Sequence, residues 1–106
     1  MSQEAYIFDA IRSPRGKGKN GSLNELTAVS LSAQILSKLK ERNNLDTATI
    51  EDVIWGNVTQ VGEQGGCLAR SAVLAANYSE STPGLSINRF CASGLEAVNL
   101  ASNQVK

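Results

Sequence analysis

The sequence predicts an α/β fold in which three strands alternate with helices and form a mostly parallel sheet. Two observations favour this class. Short apolar runs of strand length lie between longer segments whose apolar residues recur at helical spacing. That alternation is typical of successive strand–helix–strand units, whose strands run parallel. A turn signal, Pro83 followed by Gly84, also starts the third of these strands.

The first half of the chain is predicted to contain a strand, a loop and a helix. Residues 5–11 form the first strand, and residues 12–24 form a loop rich in glycine, lysine and serine. An amphipathic helix follows and ends near Asn43 and Asn44. The apolar residues that mark its buried face are Leu26, Val29, Leu31, Ile35, Leu36 and Leu39.

A second strand and a second helix are predicted in the middle of the chain. Asp46 or Thr47 is expected to cap a short helical turn, and residues 53–58 form the strand that comes after it. A helix then runs from about residue 67 to residue 77. Its buried side is predicted to carry Leu68, Ala72, Val73 and Ala76.

The third strand leads directly into the last helix, and Cys91 lies at that junction. Residues 84–90 alternate apolar and polar side chains as a half-buried strand does. Leu95, Val98 and Val105 then recur at helical spacing. Unpaired backbone N–H groups and the positive end of a helix dipole favour a thiolate at such a position. The same N–H groups can receive an oxyanion.

From this local pattern alone, two interpretations of Cys91 stay open. It is either a nucleophile, or a buried cysteine that packs as a small hydrophobe. A nucleophilic thiol works best beside a base, and the chain contains no histidine.

Four blocks, in the same order, resemble the thiolases, the family of acetyl-CoA acetyltransferase and 3-ketoacyl-CoA thiolase. The blocks are residues 8–16, 56–58, 62–70 and 88–97. In that family the residue that matches Cys91 attacks an acyl thioester and carries the acyl group. The resemblance therefore implies that Cys91 is the catalytic nucleophile.

The resemblance also implies that residues 1–106 are the N-terminal part of the thiolase N-terminal catalytic domain. Family members are several times longer than this chain, and the last helical pattern continues up to Lys106 without a stop signal. We expect a truncated domain within a thiolase-like fold. The activating histidine, the second cysteine and most coenzyme A contacts of the family belong to the part that would follow.

The function implied is a thiolase-type acyltransferase that makes or cleaves the carbon–carbon bond of acetoacetyl-CoA or 3-ketoacyl-CoA. Coenzyme A thioesters are then substrates, with no covalently bound cofactor and no metal, and the fragment alone is expected to be inactive. The resemblance further implies a homo-oligomer that associates through the edge of strand 85–90. Alternatives are a ketoacyl synthase, a hydroxymethylglutaryl-CoA synthase, or a non-catalytic interaction fragment.

Composition argues against a few other classes of protein. The chain has 106 residues, and its ten basic and ten acidic residues give zero formal charge, which argues against a nucleic-acid binder. No apolar run approaches a membrane span, and residues 1–6 do not resemble a signal peptide. Two cysteines make a poor disulfide framework. We therefore expect a cytoplasmic protein.

The sequence predicts supporting roles for Ser93 and Gly94 and no catalytic role for Cys67. Ser93 is expected to donate a hydrogen bond to a nearby carbonyl, and Gly94 to permit tight helix packing; both would support Cys91. Cys67 also stands at the start of a predicted helix. Because the second cysteine of thiolases lies far towards the C-terminus, the resemblance argues against a catalytic role for Cys67.

Overall fold

The computed structural model describes residues 4–106 and confirms the α/β class. Within that range the chain forms three α-helices and two β-strands. The helices are α1 (Ala28–Asn43), α2 (Leu68–Ala75) and α3 (Ser93–Val105), and the strands are β1 (Ile54–Gly56) and β2 (Leu85–Ile87). Single turns of 3₁₀-helix at Thr47–Thr49 and Gly62–Gln64 precede β1 and α2. No helix in residues 4–106 is long and apolar enough to cross a membrane.

The two strands are parallel neighbours, and α2 lies between them in the sequence. The register pairs Ile54 with Leu85 and Gly56 with Ile87. The ladder continues beyond β1, where the N–H of Asn57 donates to the carbonyl of Ile87 at 2.9 Å. Since α3 packs against β1, the helix that follows β2 returns across its partner strand, as expected for a strand–helix unit.

The prediction of a first strand at residues 5–11 is wrong for this structure. The segment does not belong to the β1–β2 sheet, and three of its large side chains are exposed: Tyr6 by 69%, Ile7 by 81% and Phe8 by 95%. A short apolar run shows only which side chains can be buried. A strand needs a main-chain partner as well.

Asp9 attaches this segment to the C-terminal end of α1. The Asn43 side-chain amide donates to the Asp9 carboxylate at 2.8 Å, as does the N–H of Ala10, and Arg42 forms an ion pair with it at 3.3 Å. These contacts, with that of Asn43 the largest, lower the pKa of the Asp9 carboxyl. Polar contacts of Asp9, rather than a ladder, therefore attach this segment to α1.

The C-terminal end of α1 lies where the sequence predicts it, whereas the helix begins after Leu26, which was predicted to belong to it. The Thr27 hydroxyl accepts from the N–H of Ser30 at 3.0 Å and caps the N-terminus. Asn44 adopts a left-handed conformation with φ of 49° and ends the helix. Of the two candidates for capping the next turn, Asp46 does so, because its carboxylate accepts from the N–H of Ala48 at 3.2 Å.

The core lies where α1 packs against α2. The four residues predicted to face inward from the second helix are all buried: Leu68, Ala72, Val73 and Ala76. Leu36 of α1 forms one cluster with Ala72, Val73 and Ala76. Tyr78 completes it, and its hydroxyl donates to the carbonyl of Leu36 at 2.7 Å. Burial raises the pKa of the Tyr78 phenol, so this hydroxyl remains a donor at neutral pH.

Candidate active site at the start of helix α3

Cys91 lies in the short connection between β2 and α3, two residues before the first helical residue, Ser93. Its side chain is exposed and the thiol is free. The structure thus places Cys91 at the strand-to-helix junction that the pattern predicts. A buried cysteine acting as a small hydrophobe does not describe this position, since the residue faces solvent.

The residue before Cys91 has an unusual backbone. Phe90 has φ of +44°, in the left-handed region that a bulky aromatic residue rarely enters. Such a conformation costs roughly 1–3 kcal/mol and persists only where surrounding contacts impose it. One such contact comes from Asn88, whose side-chain oxygen accepts from the N–H of Phe90 at 2.8 Å. The turn that presents Cys91 is therefore held in a strained conformation.

Ser93 connects the two sides of this turn, as the sequence predicts. Its hydroxyl donates to the carbonyl of Phe90 at 2.6 Å and accepts from the N–H of Arg89 at 2.9 Å. Ser93 is itself buried, so both hydrogen bonds are shielded from competition by water. The residues on either side of the Cys91 thiol are in this way fixed by one side chain.

Close packing beneath the site depends on Gly56 rather than Gly94. A Cβ atom on Gly94 would meet nothing within 4 Å, so its predicted role in tight helix packing is wrong. A Cβ atom on Gly56 would lie 2.6 Å from the backbone nitrogen of Gly94 and 2.6 Å from the carbonyl carbon of Ser93. The glycine that lets α3 approach the sheet therefore belongs to β1.

The ionisable groups nearest to Cys91 in the sequence bind each other. Among residues 88–97 these groups are Arg89 and Glu96, which form an ion pair at 3.0 Å. This contact places Arg89 against the first turn of α3. Arg89 therefore contributes to the structure of the turn.

Cys67 occupies a different environment at the N-terminus of α2. Its thiol donates to the carbonyl of Gly84 at 3.4 Å and lies 3.8 Å from the hydroxyl of Ser86. Burial raises the pKa of the Cys67 thiol, but hydrogen bonds from the backbone N–H of Arg70 and from Ser86 outweigh it, and the net effect lowers the pKa. Cys67 thus connects α2 to the start of β2.

We expect iodoacetamide at neutral pH to alkylate Cys91 faster than Cys67. Cys91 is exposed, whereas the Cys67 sulfur is half-buried and hydrogen-bonded. The lowered pKa of Cys67 raises its thiolate fraction, but the reagent must also reach the sulfur. Peptide mapping by mass spectrometry over time measures both rates, and unfolding in urea should remove the difference. Equal rates in the folded protein would count against an accessible, specialised thiol at Cys91.

Comparison with known proteins identifies a family for almost the whole chain. Residues 5–106 match the model of the thiolase N-terminal domain. Three 3-ketoacyl-CoA thiolases are similar to this chain over 97% of its length. Those of Pseudoalteromonas atlantica, Shewanella loihica and Acinetobacter baylyi are 41%, 42% and 39% identical to it. The matched region is 27%, 27% and 26% of those proteins. The chain therefore spans about a quarter of the length of these relatives.

Proposed function

This chain belongs to the thiolase family, and from that membership we propose that it supplies the cysteine nucleophile of a thiolase-type acyltransferase. The observation that carries the proposal is the position of Cys91. The thiol is exposed, follows a residue in the left-handed conformation, and directly precedes the N-terminus of α3. Backbone strain concentrates at functional sites, and a helix N-terminus favours a thiolate.

The reaction proposed is reversible thiolysis of 3-ketoacyl-CoA. The Cys91 sulfur attacks the 3-keto carbon, the bond between C2 and C3 breaks, and its electron pair leaves with C2, which takes a proton to give acetyl-CoA. The acyl group stays on sulfur as a thioester. The thiol of free coenzyme A then attacks that thioester, releasing acyl-CoA and restoring Cys91. The reverse sequence condenses two acetyl-CoA molecules to acetoacetyl-CoA.

A covalent intermediate replaces one difficult step by two easier ones. Each step develops negative charge on a carbonyl oxygen, and backbone N–H groups at the start of a helix are donors suited to stabilise it. Proton transfers need a base, and this chain has no histidine. We therefore place residues 1–106 at the front of a thiolase N-terminal catalytic domain, with the base supplied by the portion that the relatives carry beyond the matched quarter.

A chimaeric enzyme tests the proposal. This chain is fused to the part of the Pseudoalteromonas atlantica thiolase that lies beyond the matched region, incubated with acetyl-CoA, and quenched in acid. We expect the acetyl group on the peptide that contains Cys91. Cys91→Ser should remove it, whereas Cys67→Ser should leave both the label and turnover in place. Turnover without acetylation of Cys91, or acetylation of Cys67 instead, would overturn the proposal.

We further propose that the chain associates through the free edge of β2, within residues 85–90. In a parallel strand the N–H and C=O of one residue point to the same neighbour, and successive residues alternate. The N–H of Leu85 donates to Val53 and the carbonyl of Ile87 accepts from Asn57, so both of these β2 residues are bonded towards β1. Ser86 therefore directs its N–H and C=O to the outer edge, where a second copy can pair.

Ser86→Pro is expected to weaken the dimer, because proline deletes the outward N–H. Ser86→Ala is the matched control. It removes the hydroxyl that accepts from the N–H of Ala69 at 3.2 Å but keeps the edge donor. Sedimentation at micromolar concentration measures the dimer fraction of each variant. A monomeric wild-type chain, or equal effects of the two substitutions, would exclude this edge as the interface.

A further inference from the structure

Phe90 combines two features that are unfavourable for a phenylalanine. Its backbone is left-handed, with φ of +44°, which is strained for a bulky residue. Its side chain is 75% exposed, so the ring contributes little to the apolar core between α1 and α2. Burial of the ring within this chain therefore does not offset the strain of its backbone.

The chain uses asparagine at its other left-handed positions outside glycine. Within residues 4–106 these positions are Asn20, Asn44 and Asn77. Asparagine tolerates such a backbone because its short polar side chain can form local hydrogen bonds. A phenyl ring cannot form these bonds, and Phe90 is therefore the exception among the four residues.

The hydrogen bonds that hold the turn use only the main chain of Phe90. The side-chain oxygen of Asn88 accepts from its N–H at 2.8 Å, and the Ser93 hydroxyl donates to its carbonyl at 2.6 Å. Asparagine or glycine at position 90 would offer the same two groups with less strain. The turn thus does not require an aromatic residue, and the ring is the one feature that phenylalanine adds.

We propose that Phe90 is a specificity-determining residue whose ring contacts the acyl chain carried by Cys91 and favours acyl groups longer than acetyl. This role rests on the proposed function and adds its substrate class. Phe90 is bonded directly to Cys91, so their Cα atoms lie about 3.8 Å apart. Both residues are exposed, which leaves the ring free to contact a group attached to the sulfur.

An acyl chain on an exposed cysteine keeps its methylene groups in water unless an apolar surface covers them. Each methylene group that leaves water adds to binding, so such a surface favours long chains over the single methyl group of acetyl. Among residues 88–92, Phe90 has the only large apolar side chain, and Arg89 pairs with Glu96. An aromatic face supplies a large apolar area with few rotatable bonds.

Phe90→Asn in the chimaeric enzyme tests this role, because it keeps the main-chain contacts of the turn and removes the ring. The measurement compares kcat/KM for thiolysis of 3-ketooctanoyl-CoA with that for acetoacetyl-CoA. We expect the ratio of the two values to fall by about fivefold or more. Leu74→Asn is the matched control, since it replaces an exposed apolar side chain of α2 by the same amide, and it should leave the ratio unchanged.

Alkylation of the 106-residue chain measures the same contact without turnover. Iodoacetamide and N-hexyl iodoacetamide both react by displacement of iodide by the Cys91 sulfur, and they differ only in an apolar chain. Because any change in thiol reactivity affects both rates, their ratio reports on contact with that chain. The hexyl reagent should lose about fivefold of its relative rate in Phe90→Asn and none in Leu74→Asn. The urea midpoint of Phe90→Asn should equal or exceed that of the unmodified chain, because strain is relieved.

A chimaera that is inactive, or that is not acetylated on Cys91, would overturn the proposed function, and the alkylation ratio would then decide the role of the ring by itself. An unchanged ratio in either assay, or a lower urea midpoint for Phe90→Asn, would overturn the role proposed for Phe90. Loss of a dimer in Phe90→Asn with both ratios unchanged would assign the ring to the interface between two copies instead.

Discussion

The purified 106-residue chain is expected to show no thiolysis of acetoacetyl-CoA above the rate of the uncatalysed reaction. The proposed nucleophile, Cys91, is present, but the chain has no histidine. Within residues 88–97 the charged groups, Arg89 and Glu96, are paired with each other. Catalytic groups that act as a unit are not additive, and losing one member can cost a factor of roughly 10⁴ to 10⁶.

The measurement follows the loss of acetoacetyl-CoA in the presence of free coenzyme A. The chimaera with the remainder of a relative serves as the positive control, and Cys91→Ser in that chimaera should reduce turnover to the level of the isolated chain. Robust turnover by the isolated chain that survives Cys91→Ser would contradict both the assignment of Cys91 and the need for an external base.

The features that were predicted correctly depend on residues that lie close together in the sequence. The C-terminal end of α1 depends on Asn44, whose left-handed backbone ends the helix. The inner face of α2 follows from its apolar spacing, and the structure buries all four predicted residues. The position of Cys91 follows from the change of periodicity between β2 and α3. Each of these features is determined within a few residues of chain.

Features that depend on distant partners were not predictable. Residues 5–11 form a short apolar run of strand length, but pairing requires another main chain, which such a run does not reveal. The contact of Asp9 with Arg42 and Asn43 joins residues more than thirty positions apart. The left-handed conformation of Phe90 is held by the nearby side chains of Asn88 and Ser93. It was not predictable for a different reason, since such a backbone normally selects glycine or asparagine rather than phenylalanine.

The packing role of Gly56 was missed for the same reason. The sequence shows a glycine at the end of a strand, which is consistent with a simple turn. The close approach becomes visible only when α3, about forty residues later, lies across β1. Tight helix packing was predicted for Gly94, which lies three residues after Cys91. The structure instead requires a glycine at position 56, where β1 contacts the backbone of Ser93 and Gly94 in α3.

Gly56→Ala is therefore expected to destabilise the protein and to disturb the site together. Its Cβ atom would lie 2.6 Å from the nitrogen of Gly94 and 2.8 Å from the carbonyl oxygen of Ser93. These neighbours are backbone atoms, so no side-chain rotation relieves the clash, and the start of α3 must move away from β1. Overpacking of this kind typically costs about 1–3 kcal/mol. Because Ser93 fixes the turn around Cys91, the same movement alters the thiol.

Gly94→Ala is the matched control, one position beyond Ser93 on the other side of the same contact. Its Cβ atom meets nothing within 4 Å, and alanine in a helix is favoured over glycine by roughly 0.5–1 kcal/mol, so stability should be unchanged or higher. Urea unfolding gives the free energy of each variant, and the iodoacetamide rate at Cys91 reports on the turn. We expect a lower urea midpoint and a changed alkylation rate for Gly56→Ala alone. Equal behaviour of the two variants would mean that α3 does not depend on Gly56 for its position, and that the strained turn at Phe90 is held by Asn88 and Ser93 without support from the sheet.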